Sequence, residues 1–566
     1  MKYSELCQTY EELEKNPSRL KKIEILSDFL KKLKKEDNKE IIYLVKGKVF
    51  PDYSNKEIGI SDKLVVKALS KASGLSDKEI INKWRKIGDL GKVSEDIMKV
   101  KKQHTLFSKT LNVEKVLENI RKLPELEGKG TIEKKMSLIS ELLTSANSLE
   151  AKYLIRTLLS DLRIGVSDGT LRDALVKACF SESELKEDKK EITDNVQNIY
   201  DTSSDWKQVF EKACKGVQAV KKTVLEPGKP IKVMLFLKEN SISDGFKRVG
   251  KPALIDYKYD GFRMMINKDE KEIKLFTRRL ENVTKQFPEV KEYVKEYVKG
   301  KTFILDAEAV GYDLMTKKYR PFQEISQRIK RKYDIEKLQK ELPIEINVFD
   351  VIYYNGESLL NKPFKERRKI IEKIVKKEKF KIRPSEAIIT DDEIKAREFY
   401  LKAIEHGEEG IMMKNLEAPY KPGARVGYGV KIKPEDNEFD LVIIRAEYGT
   451  GKRAGWLTSY TVACGDKDNL LEIGKVSTGL KEKESEGLSY KELTKKLKPL
   501  VSEEKGREVK VKPEIVVTVV YQNIQKSPTY SSGFALRFPR ITRLRPDRSK
   551  SDIASLDEIK RDYLKH

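Results

Sequence analysis

Lys258-Tyr259-Asp260-Gly261-Phe262-Arg263 sets a lysine two places before an Asp-Gly pair and an arginine two places beyond it. A free lysine amine, with a reference pKa of about 10.4, is almost wholly protonated at neutral pH. A neighbouring cation such as Arg263 disfavours that charge and makes the amine a nucleophile. The bland alternative is a surface turn in a lysine-rich protein. Other polar segments follow in order. Thr277 to Asn282 carries Arg278 and Arg279. Leu305 to Glu308 carries Asp306 and Glu308, two apart and so on one face of a strand. Phe349-Asp350 is expected to close a strand with an aromatic able to stack on a base. Glu408 to Lys414 begins with two carboxylates and ends on a cation. Arg425, Lys431 and Lys433 add further positive charge. Each segment alone is more easily structural. Together they supply the nucleophile, carboxylates and cations that nucleotidyl transfer requires.

These groups need rigid elements beneath them. Phe262, Met264 and Ile266 alternate with polar residues, as do Ile273, Leu275 and Thr277, across the polar tip Asn267 to Glu270. That is the period of two strands joined by a short turn, and it predicts Lys258 at the head of a β-hairpin. Thr302 to Val310, Ile344 to Tyr354 and Gly410 to Lys414 also read as strands. Pro227-Gly228-Lys229-Pro230 reads as a linker in front of this mixed region. From about residue 436, short strands (Asp440 to Ile444, Ser459 to Ala463, Ile515 to Tyr521) with Gly-rich turns predict a small β-barrel such as an OB-fold.

Before the linker the chain reads as helix almost throughout. Asn16-Pro17 is expected to cap a helix running to about Lys34, and Ser76 to Glu79 forms a capping box. Leu154, Ile155, Leu158, Leu159 and Leu162 fall on one helical face. A helix is expected to end near Gly165, with Thr170 and Asp173 capping the next. The turn Arg163-Ile164-Gly165-Val166-Ser167-Asp168-Gly169-Thr170-Leu171-Arg172 could then hold a DNA phosphate on its amides, flanked by two arginines. An ordinary αα-hairpin is the competing reading. Gln103 to Phe107, a glutamine three before a leucine and an aromatic, looks like a plug for a sliding clamp, or else packs into its own core.

The totals fit these signals. At 566 residues the chain is too long for one core. Its 115 Lys+Arg against 91 Asp+Glu leave a net +24, which favours a polyanionic partner over a balanced soluble surface. Cys7, Cys179, Cys214 and Cys464 form no Cys-x-x-Cys pair and only three histidines are present, so a zinc site is not expected. The cysteines read as reduced, buried small hydrophobes. No signal-peptide pattern or membrane-span run is found, and a cytoplasmic protein with no membrane partner is expected.

At this point the sequence resembles the ATP-dependent DNA ligases of archaeal and eukaryotic type, within the lysyl-nucleotidyltransferase superfamily. The segments quoted from Lys258 to Lys433 look like motifs I to V. Phe534 to Arg548 looks like motif VI, and the Arg163–Asp173 turn and Glu447 to Trp456 extend the likeness over essentially the whole chain. Arg548 stands where relatives often carry lysine, and Ser477 and Leu480 replace an expected glycine and aromatic. The resemblance implies an all-α DNA-binding domain (1–220), an α+β nucleotidyltransferase domain (221–434) and a C-terminal OB-fold β-barrel (435–566). Lys258 would take AMP from ATP. Asp256 would meet the adenine, and Phe349 would stack on it. Glu308 would contact the ribose, while Arg263, Arg278 and Arg425 would hold sugar and phosphate. Lys431 and Lys433 would lie against the α-phosphate. Glu409 with Glu308 would bind Mg²⁺, or Mn²⁺ in its place. Arg537, Arg540, Arg545 and Arg548 would face the outgoing phosphates. Arg163, Gly165, Gly169, Thr170 and Arg172 would touch DNA. The implied substrate is nicked duplex DNA, handled by a nucleoid-associated monomer. An mRNA-capping guanylyltransferase, an NAD-dependent ligase and a non-catalytic DNA-binding scaffold are the competing readings.

Overall fold

The computed structural model describes residues 1–564 except 55, 101–109, 127, 129, 222–224, 332, 435–436, 450–452, 454 and 468. Residues 1–83 and 89–433 belong to one compact unit, and residues 434–566 belong to a second.

Up to Lys221 the described residues form α- and 3-10 helices with their connections. The helix Arg19–Leu33 is capped by Ser18, whose side chain accepts from Lys21 N–H. The expected cap at Asn16 is therefore displaced. Asn16 instead ends the preceding helix, Tyr3–Lys15, because Pro17 bars helical φ/ψ for the residue before it. The capping box stands: Ser76 N–H donates to Glu79 at 2.9 Å and Glu79 N–H to the Ser76 hydroxyl at 3.3 Å. The helix Ser148–Leu158 is buried on every side from Glu150 to Leu158, so the expected single stripe was too narrow. Its Lys152 and Arg156 are matched from outside by Glu11 (2.6 Å), Glu14 (2.9 and 2.7 Å) and Asp89 (2.6 Å). Buried charges persist only where such partners exist. Cys179 and Cys214, far apart in sequence and only half-buried, bring their sulfurs to 3.9 Å.

Two sheets follow. Their strands, in chain order, are β1 (Leu235–Glu239), β2 (Ala253–Tyr257), β3 (Phe262–Lys268), β4 (Ile273–Thr277), β5 (Phe303–Tyr312) and β6 (Tyr319–Arg320). Then come β7 (Ile344–Tyr354), β8 (Glu357–Ser358), β9 (Ile382–Pro384), β10 (Ala387–Thr390), β11 (Ile411–Asn415) and β12 (Arg425–Ile432). One sheet has the order β1-β12-β11-β2-β10. The other runs β4-β3-β5-β7-β8, with β6 on β5 and β9 on β7. The predicted hairpin is β3–β4, in the register Met264–Thr277 and Ile266–Leu275. Alternation buries Phe262, Met264, Ile266, Leu275 and Leu305 with Phe287, Val290 and Val294 in one core. The helical region and the first sheet, expected as separate domains, pack within the same unit. Lys232 N–H donates to Asp201 O (2.9 Å), and its ammonium lies over the Tyr200 ring at 3.6 Å.

In the second unit, β13 (Asn437–Tyr448), β14 (Leu457–Asp466), β15 (Asn469–Val476), β16 (Val501–Lys505), β17 (Glu508–Val511), β18 (Val516–Tyr521) and β21 (Arg540–Leu544) form an antiparallel seven-stranded sheet, while β19 (Ile524–Lys526) pairs with β20 (Phe534–Leu536). The three predicted strands fall on β13, β14 and β18, the last of which begins one residue later than expected, at Val516. No described helix of either unit is long and apolar enough to cross a membrane.

Candidate active site

Lys258 sits where the chain leaves one sheet for the other. β2 ends at Tyr257 between β11 and β10, and β3 begins at Phe262 in the second sheet. The expectation of a hairpin head is corrected accordingly: the hairpin lies beyond Lys258, and Lys258–Gly261 is the joint. Backbone bonds hold it. Lys258 N–H donates to Gly410 O and Glu409 N–H to Lys258 O, both at 2.9 Å. Asp260 N–H donates to the Glu408 carboxylate, also at 2.9 Å. Gly261 is obligatory here, because a Cβ would stand 2.3 Å from Ala309 O. Gly410 likewise has φ +131° and no room beside Ile432 O.

The joint opens into a cleft of about 740 Å³, within the size range of small-molecule sites. One end is aromatic. Asp306 pairs with Asp350 and Ala307 with Val348, so Phe349 is the extra residue of a β-bulge in the middle of β7, not its last residue. A bulge re-aims its side chain, and the Phe349 ring lines the cleft, with Lys414 Nζ at 4.7 Å and Arg263 Cζ at 5.3 Å from its centre. Asp256 also lines this end. One carboxylate oxygen accepts from Lys414 (2.6 Å) and Ser385 (3.3 Å), while the other is buried with no hydrogen-bond partner among the described residues.

The other end is cationic. Arg278, Arg425 and Lys431 line it with Lys258. Burial first, then the charges of Lys258, Lys433, Arg425 and Arg278, lowers the Lys431 pKa from its ordinary value. Glu409 lies between two amines, 2.7 Å from Lys258 Nζ and 2.5 Å from Lys433 Nζ. Burial alone would raise its pKa, but the two lysines hold it at about 2.

Arg263 does not serve as the free cation expected beside the nucleophile. Its Nε donates to Asp306 at 2.8 Å and its Nη1 to Met234 O at 2.7 Å, and Tyr420 completes the cluster by donating to Asp306 at 2.8 Å. Asp306 is thus occupied, leaving Glu308 as the β5 carboxylate that lines the cleft. Burial, partly offset by Lys258 and Arg263 and reinforced by Glu409 and Asp306, pushes Glu308 up to about 7. The described residues hold no group of three or more His, Cys, Asp or Glu fit for a metal. Glu308 and Glu409, whose charges repel each other, are the carboxylates that would hold a divalent cation here. Burial and like charges also raise Glu408, to about 8, against the pull of the Asp260 N–H.

Sequence reasoning missed Tyr420, the bond from Asp260 N–H to Glu408 and the role of Lys414 as Asp256's partner. Only Met412 and Lys414, two apart on β11 and both lining the cleft, carried a legible signal.

The turn expected to hold DNA is built differently from its prediction. The first helix stops at Leu158 rather than near Gly165, and Ser167, not Thr170 with Asp173, caps the helix Asp168–Cys179 by accepting from Thr170 N–H at 3.2 Å. Gly169 lies in the first turn of that helix. Gly165 has φ +65° with the Lys22 ammonium pressed against it. Arg163 pairs with Asp161 (2.6 Å) and Arg172 with Asp173 (2.7 Å). In the second unit, Arg545 and Arg548 converge on Asp440 at 2.6 and 3.1 Å. Arg540 opens β21, and Arg537 lies 5.2 Å from the Phe538 ring. Gln103 to Phe107 lies outside the described residues.

Comparison with known proteins bears on the whole chain. Residues 2–176 match the model for the DNA ligase N terminus, 233–433 that for the ATP dependent DNA ligase domain, and 453–548 that for the ATP dependent DNA ligase C terminal region. A DNA ligase of Nanoarchaeum equitans is 45% identical over 568 residues, covering 100% of this chain and 98% of its own. One of Methanopyrus kandleri is 39% identical over 567 residues, covering 100% and 99%. A solved structure, Pmar-Lig_PreS3, shares the fold with a TM-score of 0.57 at 17% identity, over 95% of this chain and 99% of its own. This chain belongs to the ATP-dependent DNA ligase family.

Proposed function

We propose that the protein seals nicks in duplex DNA in three nucleotidyl transfers, with Lys258 carrying AMP between them. The observation that carries this reading is the placement of Lys258 on a backbone-clamped joint in a cleft that is aromatic at one end and cationic at the other. Lys258 Nζ, once deprotonated, attacks the α-phosphorus of ATP. An N–P bond forms, the bond to the β-phosphate oxygen breaks, and diphosphate leaves. A DNA 5′-phosphate oxygen then attacks the same phosphorus and restores the free lysine. The nick's 3′-hydroxyl attacks the 5′-phosphorus, closes the phosphodiester and expels AMP.

Phe349 stacks on the base, and the unpartnered Asp256 oxygen accepts from its exocyclic amine. A buried acceptor that adenine completes favours it over guanine, which carries a carbonyl oxygen where adenine has its amine. Arg263 stiffens the floor of the cleft. Arg278, Arg425, Lys431 and Lys433 gather phosphate oxygens and stabilise charge that builds during displacement. Glu308 and Glu409 would hold Mg²⁺, or Mn²⁺, which supplies charge neutralisation for the phosphates and leaving diphosphate. We read the 435–566 barrel as an OB-fold whose Arg537, Arg540, Arg545 and Arg548 face the leaving phosphates. The Arg163–Arg172 turn and the +24 net charge would serve DNA backbone binding.

The test is self-adenylylation. Protein is incubated with Mg²⁺ and ATP labelled at the α-phosphate, beside a chelator control, GTP, NAD and Lys258→Ala. An acid-labile label from ATP, absent in the variant and the chelator control, is expected. No label from any nucleotide sinks the proposal.

A further inference from the structure

One wall of the cleft has no part in that scheme. The helix Phe322–Lys330 presents Gln327 and Lys330 to the cleft, both exposed. Its opposite face is locked. Arg328, 1% exposed, donates to Leu342 O (2.8 Å) and Gln286 O (2.9 Å), pairs with Glu289 (2.8 Å) and stacks on Phe287 at 4.4 Å. A guanidinium buried this deeply is tolerated only when its partners are fixed, so the helix is held against rolling.

The same anchor reaches the turn that carries Arg278 and Arg279. Gln286 returns a bond from Nε2 to Ile329 O (3.4 Å) and its N–H donates to Val283 O (3.1 Å). Val283 N–H in turn donates to Leu275 O (2.8 Å), and Thr277 N–H to Glu281 O (2.9 Å). Helix end and arginine turn are therefore hung from one short stretch and line the same cleft. Among the described residues neither Arg279 nor Lys330 has a carboxylate at ion-pair distance, although Glu281 also lines the cleft. Two unneutralised cations and an amide on a rigid mount form an anion site.

We propose that Arg279, Gln327 and Lys330 form a phosphate subsite at the mouth of the cleft, filled by the 5′-phosphorylated strand of the nick. This rests on the ligase reading above. All three side chains are exposed at the rim, as are Arg278 and Arg425, where a polymer arrives, whereas Lys258, Glu308, Lys431 and Lys433 deeper in the site are half-buried. Phosphates of ATP are the other source of the same chemistry.

The experiment compares the full-length protein with Arg279→Ala, Lys330→Ala, Gln327→Ala and Lys330→Arg. Pre-adenylylated enzyme is titrated with nicked 5′-phosphorylated duplex over a range of salt, and lysine loading is measured against ATP concentration. We expect each cation removal to weaken nick binding about tenfold and to reduce the salt slope by about one. Loading and thermal midpoint should be unchanged, and Lys330→Arg should rescue binding. If instead the ATP concentration for half-maximal loading rises, the subsite stands with the nucleotide's phosphates as its occupant. If neither changes while the parent protein loads and seals, the subsite is wrong and the ligase reading survives. If the parent protein fails to load, both fall.

Discussion

The Glu409 carboxylate lies 2.7 Å from the Lys258 amine, and Lys433 grips the same oxygen at 2.5 Å. Before nucleotide enters, the nucleophile is thus one arm of a three-membered ionic cluster. Glu409 sits behind the Lys258 amine, so with the cationic side chains of the cleft intact its removal should weigh on the attack more than on ATP binding. We expect Glu409→Gln to slow lysine adenylylation at saturating ATP by about a hundredfold while leaving the affinity for ATP within about threefold. Single-turnover loading and equilibrium ATP binding separate the two. Equal loss in both would show that Glu409 acts through the shape of the site.

Glu408 braces the joint through Asp260 N–H. Glu408→Gln keeps an acceptor there, whereas Glu408→Ala orphans a buried donor at about 1–3 kcal/mol. Loading should survive the first change and fall about tenfold in the second. The raised carboxyl also sets a sign. Its folded pKa of about 8 lies above the ordinary 4.5, so the folded state holds a proton that the unfolded state has lost, and stability drains away as pH rises through that window. Glu408→Gln should therefore gain thermal stability over the parent from pH 4.5 to 8. A constant difference across that range would refute the assignment.

Asp306 is the fixed partner of a mostly buried Arg263. Asp306→Asn leaves that guanidinium without an opposing charge. About 3–5 kcal/mol of destabilisation is expected, read by denaturant unfolding, together with loss of loading. An unfolding midpoint equal to the parent's would mean that Met234 O and Tyr420 suffice to hold Arg263.

The helical region should be acid-sensitive. Burial by itself would raise Glu14, yet Arg156 and Lys152 hold it at about 2 against an ordinary 4.5. A lowered carboxyl contributes stability that is full above pH 4.5 and disappears as pH falls toward 2. Glu14→Gln should flatten that dependence when helical circular dichroism is followed during acid titration. Parallel curves for parent and variant would contradict it.

Much of this site was legible because its chemistry is spaced along strands whose period of two is local: Lys431 with Lys433, and Met412 with Lys414, declare a shared side from the sequence alone. The hairpin β3–β4 was readable for the same reason. The sheet assignment of β2 was not, since it depends on pairing with β11, more than 150 residues on. The alternation Ile344-Glu345-Ile346-Asn347-Val348 breaks at Phe349-Asp350, but that this break is a bulge depends on the register with β5, which no local pattern gives. Nor could spacing tell that Arg263 is claimed by Asp306 and Tyr420, partners 43 and 157 residues away. Helix caps failed at close range instead. Asn16 and Ser18 both suit an N-cap, and only the proline between them, which assigns one to each helix, decides the matter.

The joint at Lys258–Gly261 has a mechanical consequence. Because β2 and β3 belong to different sheets, the four residues between them form a hinge pin rather than a loop tip. Any change in the angle between the sheets moves the amine relative to the Phe349 ring. The width of the cleft and the reach of its nucleophile are thus set by one and the same stretch of backbone.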